Sequence, residues 1–169
     1  ANYWLLSGNS GTTPGTHFLG TTDNQALELK VNGARALRLE PNATSPNLIG
    51  GFSGNSVITG VVGTTISGGG YSTRLNTVTD DYGTVSGGYF NRAGDNAGTT
   101  SDSQYPTVGG GGFNIASKYA STVAGGDSNT ASGDIATIGG GIGNTASGNC
   151  AFVGGGYQNT ASHSNATVG

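Results

Sequence analysis

Two histidines, one cysteine and nine acidic residues are the groups in this 169-residue chain that could carry acid–base, nucleophilic or metal chemistry. Serines are plentiful, but a serine nucleophile needs a base within hydrogen-bond reach. His17 lies in the loop Pro14-Gly15-Thr16-His17, with no second imidazole or carboxylate nearby in the sequence. His163 occupies a place filled in the neighbouring repeats by Lys118, Gly133 and Gly148, the pattern of a variable surface position. Neither completes a triad, so no catalytic residue is assigned and the chain is expected to be non-enzymatic. A single thiol cannot close an intrachain disulfide. Cys150 shares its repeat position with Ala120, Ile135 and Asn165, which points to packing rather than redox chemistry.

Among the carboxylates, Asp80-Asp81 and the pair Asp95 and Asp102 are the best candidates for a weak cation site. No spacing in either loop matches a calcium motif, and solvated loop carboxylates are the expectation there. Calcium-binding glycine repeats carry a recurring Asp at a nine-residue period, whereas Asp127 has no counterpart in the other repeats. The glycine runs are not followed by Gly-Lys-Ser/Thr, and no GxGxxG stands at a strand-to-helix junction. No metal ligand and no cofactor is therefore assigned. A formal charge of −3 and a pI near 5.0 leave no basic stripe, which argues against nucleic-acid partners. No apolar run approaches the roughly 20 residues of a membrane span, so no membrane insertion is expected of this fragment. Asn42-Ala43-Thr44 and Asn165-Ala166-Thr167 match the glycosylation sequon, a match that chance explains in a chain rich in Asn, Ser and Thr.

What must position these groups is a repeat. From Thr107 the sequence reads TVGGGGFNIASKYAS, then TVAGGDSNTASGDIA from Thr122, TIGGGIGNTASGNCA from Thr137, FVGGGYQNTASHSNA from Phe152, and TVG from Thr167. A fixed fifteen-residue period signals a solenoid of stacked coils. Glycine-rich, weakly charged chains are often disordered, but a disordered linker has no reason to place Val or Ile at every fifteenth position. Upstream the unit persists with enlarged turns. One coil opens at Thr84 and the next follows twenty-three residues on, the extra residues falling within Gly94 to Pro106; another opens at Thr65 with four residues added around Tyr71 to Leu75. A looser coil starts at Asn47. The predicted fold is thus all-β, a parallel β-roll or β-solenoid over 47–169 with coils starting near 47, 65, 84, 107, 122, 137, 152 and 167.

Each unit reads as two short strands and two turns. Period-two alternation places Val108, Val123, Ile138, Val153 and Val168 inside with Ala136, Ala151 and Ala166, and Asn114, Asn129, Asn144 and Asn159 inside with Ala116, Ala131, Ala146 and Ala161. The asparagines are expected to form a hydrogen-bonded ladder along the stack. One Val and two Ala per coil is a thin core, which predicts additional chains. Ile135, Cys150 and Phe152, apolar but outside the coil, are the expected subunit-interface residues.

Residues 1–46 do not repeat and form a separate N-terminal β-hairpin module. Ala26 to Val31 and Ala34 to Glu40 alternate around Asn32-Gly33, a pair suited to a two-residue type I′ turn. Its leucine face must pack on Tyr3, Trp4, Leu5, Leu6 and Phe18, on the first coil, or on another subunit. The chain opens at Ala1 and stops three residues into a repeat, so it reads as a piece of a longer or processed protein.

The cycle from Ala136 to Cys150 resembles the head repeats of trimeric autotransporter adhesins, the YadA-like heads. Their usual unit is about one residue shorter, with a single glycine where this chain has two or three. The resemblance covers roughly residues 47–169. It implies a left-handed parallel β-roll and a homotrimer, with an extracellular, cell-surface or fibre location. The hairpin module, with Phe18-Leu-Gly-Thr-Thr-Asp-Asn and Val31-Asn-Gly, looks like segments that precede such repeats in bacterial surface and tail-fibre-like proteins. The function expected is therefore an adhesive or structural fibre, with a tail-fibre receptor-binding segment as alternative. An ice-binding solenoid is the rival of another class, because Thr130, Thr145 and Thr160 run beside Ser132, Ser147 and Ser162. Inserted loops on a solenoid tend to carry its binding face, so contact with a protein or glycan receptor is expected in the enlarged turns, through Asp95, Asn96, Asp102, Gln104 and Tyr105.

Overall fold

The computed structural model describes residues 5–169. Among them there is no helix, and coils about fifteen residues apart stack as a parallel β-solenoid of about eight turns. The hairpin is formed by β1 (Leu27–Val31) and β2 (Ala34–Glu40). Each coil then contributes a first and a second strand. The first strands are β3 (Asn47–Gly50), β5 (Thr65–Ile66), β7 (Thr84–Val85), β9 (Thr107–Val108), β11 (Thr122–Val123), β13 (Thr137–Ile138), β15 (Phe152–Val153) and β17 (Thr167–Val168). The second strands are β4 (Ser56–Val57), β6 (Thr77–Val78), β8 (Arg92–Ala93), β10 (Ile115–Ala116), β12 (Thr130–Ala131), β14 (Thr145–Ala146) and β16 (Thr160–Ala161). First strands form one sheet and second strands another.

The hairpin is as expected: Leu27 faces Leu39, Leu29 faces Leu37, and Asn32 and Gly33 both take positive φ, at 50° and 74°. Its second strand pairs antiparallel with β3, so the hairpin extends the first sheet of the solenoid. The Arg35 guanidinium donates to the carbonyls of Ser53 and Asn55 and ties the hairpin to the first coil. Among the described residues the leucine face is only partly covered: Leu27 and Leu37 are half-buried, whereas Leu29, Val31 and Leu39 are exposed, as are Leu5, Leu6 and Phe18. The partners expected at Tyr3 and Trp4 lie outside the described residues.

Inside the coils, the inward columns are those the alternation predicts. Ile66, Val85, Val108, Val123, Ile138 and Val153 are fully buried from the first strands, and Val78, Ala93, Ala116, Ala131 and Ala146 from the second. Strands of two residues cannot sustain themselves. What fixes each corner is the asparagine at the start of the second strand, buried in every coil from Asn55 to Asn144. Its Oδ1 accepts the backbone N–H of the asparagine in the next coil, as Asn129 does from Asn144 at 2.9 Å. Its Nδ2 donates to two glycine carbonyls, for Asn129 those of Gly125 at 3.0 Å and Gly141 at 2.9 Å, one in its own coil and one in the next. The ladder is therefore mainly side chain to backbone, with side-chain pairs only between Asn129 and Asn114 and between Asn144 and Asn129. This geometry explains the glycine run beside it. A Cβ on Gly126 would meet the Gly141 carbonyl and the Asn129 amide, while Gly126 itself holds φ +89°.

The other corner departs from expectation. Tyr82, Tyr105, Ala120, Ile135, Cys150 and Asn165 occupy one column and all have φ between 50° and 64°. This is the left-handed region, where glycine is the usual resident and a β-branched residue such as Ile135 is an outlier.

Candidate functional site

The two enlarged turns leave the coil at different corners, one after the first strand of its coil and the other after the second. The larger, Gly94 to Pro106, folds back over the preceding coil. Asp81 N–H donates to the Thr100 carbonyl at 2.7 Å, and Tyr105 N–H donates to the Asp81 carbonyl at 3.0 Å. The strand register brings the carboxylates together. Because Val78 pairs with Ala93 and Ala93 with Ala116, residues two places further on stack as Asp80, Asp95 and Lys118. One carboxylate oxygen each from Asp80, Asp95 and Asp102 lies within 4.8 Å of the others.

These groups sit in different surroundings. Asp80 is fully buried, Asp95 partly, and Asp102 is exposed. The expectation of solvated loop carboxylates fails for Asp80 and for Asp81, which is 8% exposed, because the insertion closes over both. Asp81 Oδ1 accepts the Val62 N–H at 3.0 Å. Asp80 Oδ2 accepts from the Asp95 N–H at 2.9 Å and the Thr79 hydroxyl at 3.1 Å, whereas its buried Oδ1 has no hydrogen-bond partner. Burial pushes the Asp80 carboxyl up to about 6, the two hydrogen bonds opposing and the charges of Asp95 and Asp102 adding to the rise. Burial also acts upward on Asp95, but the Ala97 N–H and the Lys118 ammonium outweigh it and hold that carboxyl below its ordinary value. Lys118 Nζ donates to Asp95 Oδ2 at 3.1 Å, which raises the lysine above its usual range. The fully buried Ser103 hydroxyl reaches the same oxygen at 3.2 Å. Gly94 leaves room for all this: at φ +115°, its Cβ would strike the Thr79 hydroxyl and Asp80 Oδ2.

Of the five expected ligand-binding residues, Asp95 and Asp102 thus converge. Asn96 is exposed at φ 62°, its N–H donating to the Thr79 hydroxyl. Gln104 accepts the Ala120 N–H at its carbonyl. Tyr105 stacks on Tyr82 with centroids 5.3 Å apart and meets Tyr119 edge-on at 5.7 Å, so it belongs to an aromatic stripe rather than to the carboxylate cluster. Asp80, Ser103 and Lys118 complete the cluster. Asp80 is already a candidate for a weak cation site in the sequence; counting the register through the insertion adds Lys118, and Ser103 carries no sequence signal.

The smaller insertion builds a second feature. Tyr71 and Arg74 exchange backbone hydrogen bonds, making a tight loop that walls an open apolar groove of about 400 Å³ on the outer face of the second sheet. Leu75, Phe90, Phe113 and Ile115 line it, and the Arg74 guanidinium lies 4.5 Å from the Phe113 ring centroid. The expected interface residues face outward: Ile135 is 52% and Phe152 41% exposed, and Cys150 is an exposed free thiol. Ile135 and Cys150 stand in the turn before the first strand, and Phe152 in β15 itself.

No family model, curated protein or solved structure matches the chain.

Proposed function

We propose that this chain is the adhesive or structural head of a homotrimeric extracellular fibre. The observation that carries the reading is the distribution of apolar surface. From the coil at Thr84 onward, cores of one Val or Ile and one or two Ala leave larger side chains outside, among them Phe152, Ile135, Tyr119 and Tyr105, and in the hairpin Leu29, Val31 and Leu39 are exposed. Apolar side chains of this size fit burial against other chains better than exposure to solvent. The resemblance of the Ala136–Cys150 cycle to YadA-like head repeats supports three chains rather than two. Receptor contact falls to the insertions, which interrupt the repeat and place Tyr71, Asp102 and Tyr105 at the surface.

Light scattering on the purified chain tests the assembly, with a particle of three chains expected and a stable folded monomer refuting it. Binding to immobilised glycans and matrix proteins, with and without Gly94 to Pro106, tests the adhesive role; attachment unchanged by the deletion would move the reading to a purely structural shaft. A tail-fibre segment is the nearest alternative, and the rest of the reading frame separates the two: a membrane-barrel anchor belongs to the adhesin, a self-cleaving chaperone to the fibre. Ice binding draws on the in-register columns Thr130–Thr145–Thr160 and Thr84–Thr107–Thr122–Thr137. Phe152 ends the second of these, and absence of thermal hysteresis would remove the reading.

A further inference from the structure

We propose that Asp80, Asp95 and Asp102 form a binding site for a hard divalent cation, calcium in preference to magnesium, that locks the large insertion onto the rod. The cluster has the right donors: three carboxylates with oxygens within 4.8 Å of one another, on a loop whose irregular backbone can supply further oxygens. Clustered surface acids alone would not require a cation, but Asp80 is not at the surface. It is completely buried, and while one of its oxygens is held by the Asp95 N–H and the Thr79 hydroxyl, the other has no hydrogen-bond donor among the described residues. A buried carboxylate oxygen without a partner is costly unless a cation or donor satisfies it.

The one cation the chain itself offers does not serve. Lys118 Nζ reaches Asp95 Oδ2 only, so three negative charges and one positive leave the cluster at −2. A divalent ion neutralises that remainder. Calcium suits the site better than magnesium, because it accepts irregular coordination by six to eight oxygens, whereas magnesium demands a near-octahedral shell. Three carboxylates, with water completing the shell, place the affinity in the weak range of extracellular modules, about 10⁻⁴–10⁻³ M. The fold makes the consequence mechanical. Asp80 belongs to the turn after β6, Asp95 to the start of the insertion and Asp102 to its far limb, so one ion ties three segments, including the loop that carries Tyr105.

This inference is independent of the oligomeric state and of any receptor. The test uses the purified chain freed of metal by chelator, titrated with calcium chloride and separately with magnesium chloride, by calorimetry and thermal melting. One calcium per chain is expected, with the melting midpoint rising by about 3–6 °C at a tenfold excess over Kd. Asp102→Asn, at an exposed position, removes a like charge beside Asp80 and Asp95, so it should not lower the metal-free melt but should abolish the calcium response. Asp80→Asn should raise the metal-free midpoint, by removing a buried charge, while also abolishing the response, so loss of binding cannot be mistaken for loss of fold. No heat and no shift up to 10 mM calcium (about tenfold above the weak end of that range), or an undiminished response in both variants, overturns the site. An equal response to magnesium overturns the assignment to calcium.

Discussion

Replacing Asn129 probes the element on which the whole stack depends. Its side chain is fully buried, and it makes three hydrogen bonds to backbone groups: to the carbonyls of Gly125 and Gly141, and from the N–H of Asn144; the Gly141 carbonyl also accepts the Asp127 N–H. Asn129→Ala strands the Gly125 carbonyl and the Asn144 N–H, and leaves the Gly141 carbonyl with the Asp127 N–H alone. At about 1–3 kcal/mol for each of the two groups stranded, and with some relief from entering water, the loss is on the order of 2–5 kcal/mol. Asn129→Asp keeps the acceptor but turns two donors into a charge facing two carbonyls, so at neutral pH it should cost at least as much. The pH dependence supplies a second reading of the same geometry. The introduced carboxyl can donate only when protonated, so its pKa in the fold must rise above the unfolded value. Stability is then greatest below about pH 4 and is lost as pH rises through the raised value. Denaturant unfolding followed by circular dichroism, from pH 3.5 to 8, measures both effects relative to the parent. A loss below 1 kcal/mol for the alanine variant (about the net worth of one ordinary hydrogen bond), or an Asn129→Asp variant whose deficit does not change with pH, would refute the staple.

Gly125 and Gly126 are neighbours in sequence with opposite predicted tolerance: a Cβ on Gly125 meets nothing, whereas on Gly126 it strikes the next coil, and its φ is left-handed. Gly125→Ala should therefore lie within about 1 kcal/mol of the parent and Gly126→Ala should lose several, in the same unfolding assay; equal losses would contradict the packing of glycine on glycine. Asp80, raised from 3.8 to about 6, contributes stability that is fully present below pH 3.8 and lost as pH rises through 6. In chelator, Asp80→Asn should gain on the parent by on the order of 3 kcal/mol between pH 4 and pH 7.5, and a difference independent of pH would count against the burial of that charge. Ile135 at φ 58° is strained, and Asn tolerates that conformation. In an isolated chain Ile135→Asn would raise the melting midpoint; with Ile135 at a subunit contact it should instead weaken association, seen as dissociation at higher protein concentration.

How far the sequence reaches is clearest at Asn129 and Asp80. The fifteen-residue period and the alternation around Val123 and Ala131 are local regularities, and they survive folding because each coil repeats the same environment. Asn129 could be placed inward by that rule, but its pairing with glycine carbonyls depends on how the turn brings Gly125 and Gly141 to it. Asp80 is a cation candidate beside Asp95 and Asp102 in the sequence, but its burial is not legible there, because the insertion that closes over it begins only after Asp95; carried on across β8 and β10, the register adds Lys118. Tyr105 and Ile135 show the opposite limit. Residue preference assigns left-handed corners to glycine, whereas the stacked coil imposes that conformation on whatever occupies the column. The groove beside Phe90 and Phe113 has no linear signature, since its walls come from three successive coils.

On the proposed reading, the thin coils of this rod are completed by other copies of the same chain. Sedimentation equilibrium of the purified chain, across a hundredfold range of concentration bracketing about 1 μM (a typical middle of the affinity scale), measures this directly. The prediction is a folded particle of three 16.6 kDa chains whose circular dichroism is lost as it dissociates. A folded monomer that persists at every concentration would contradict it.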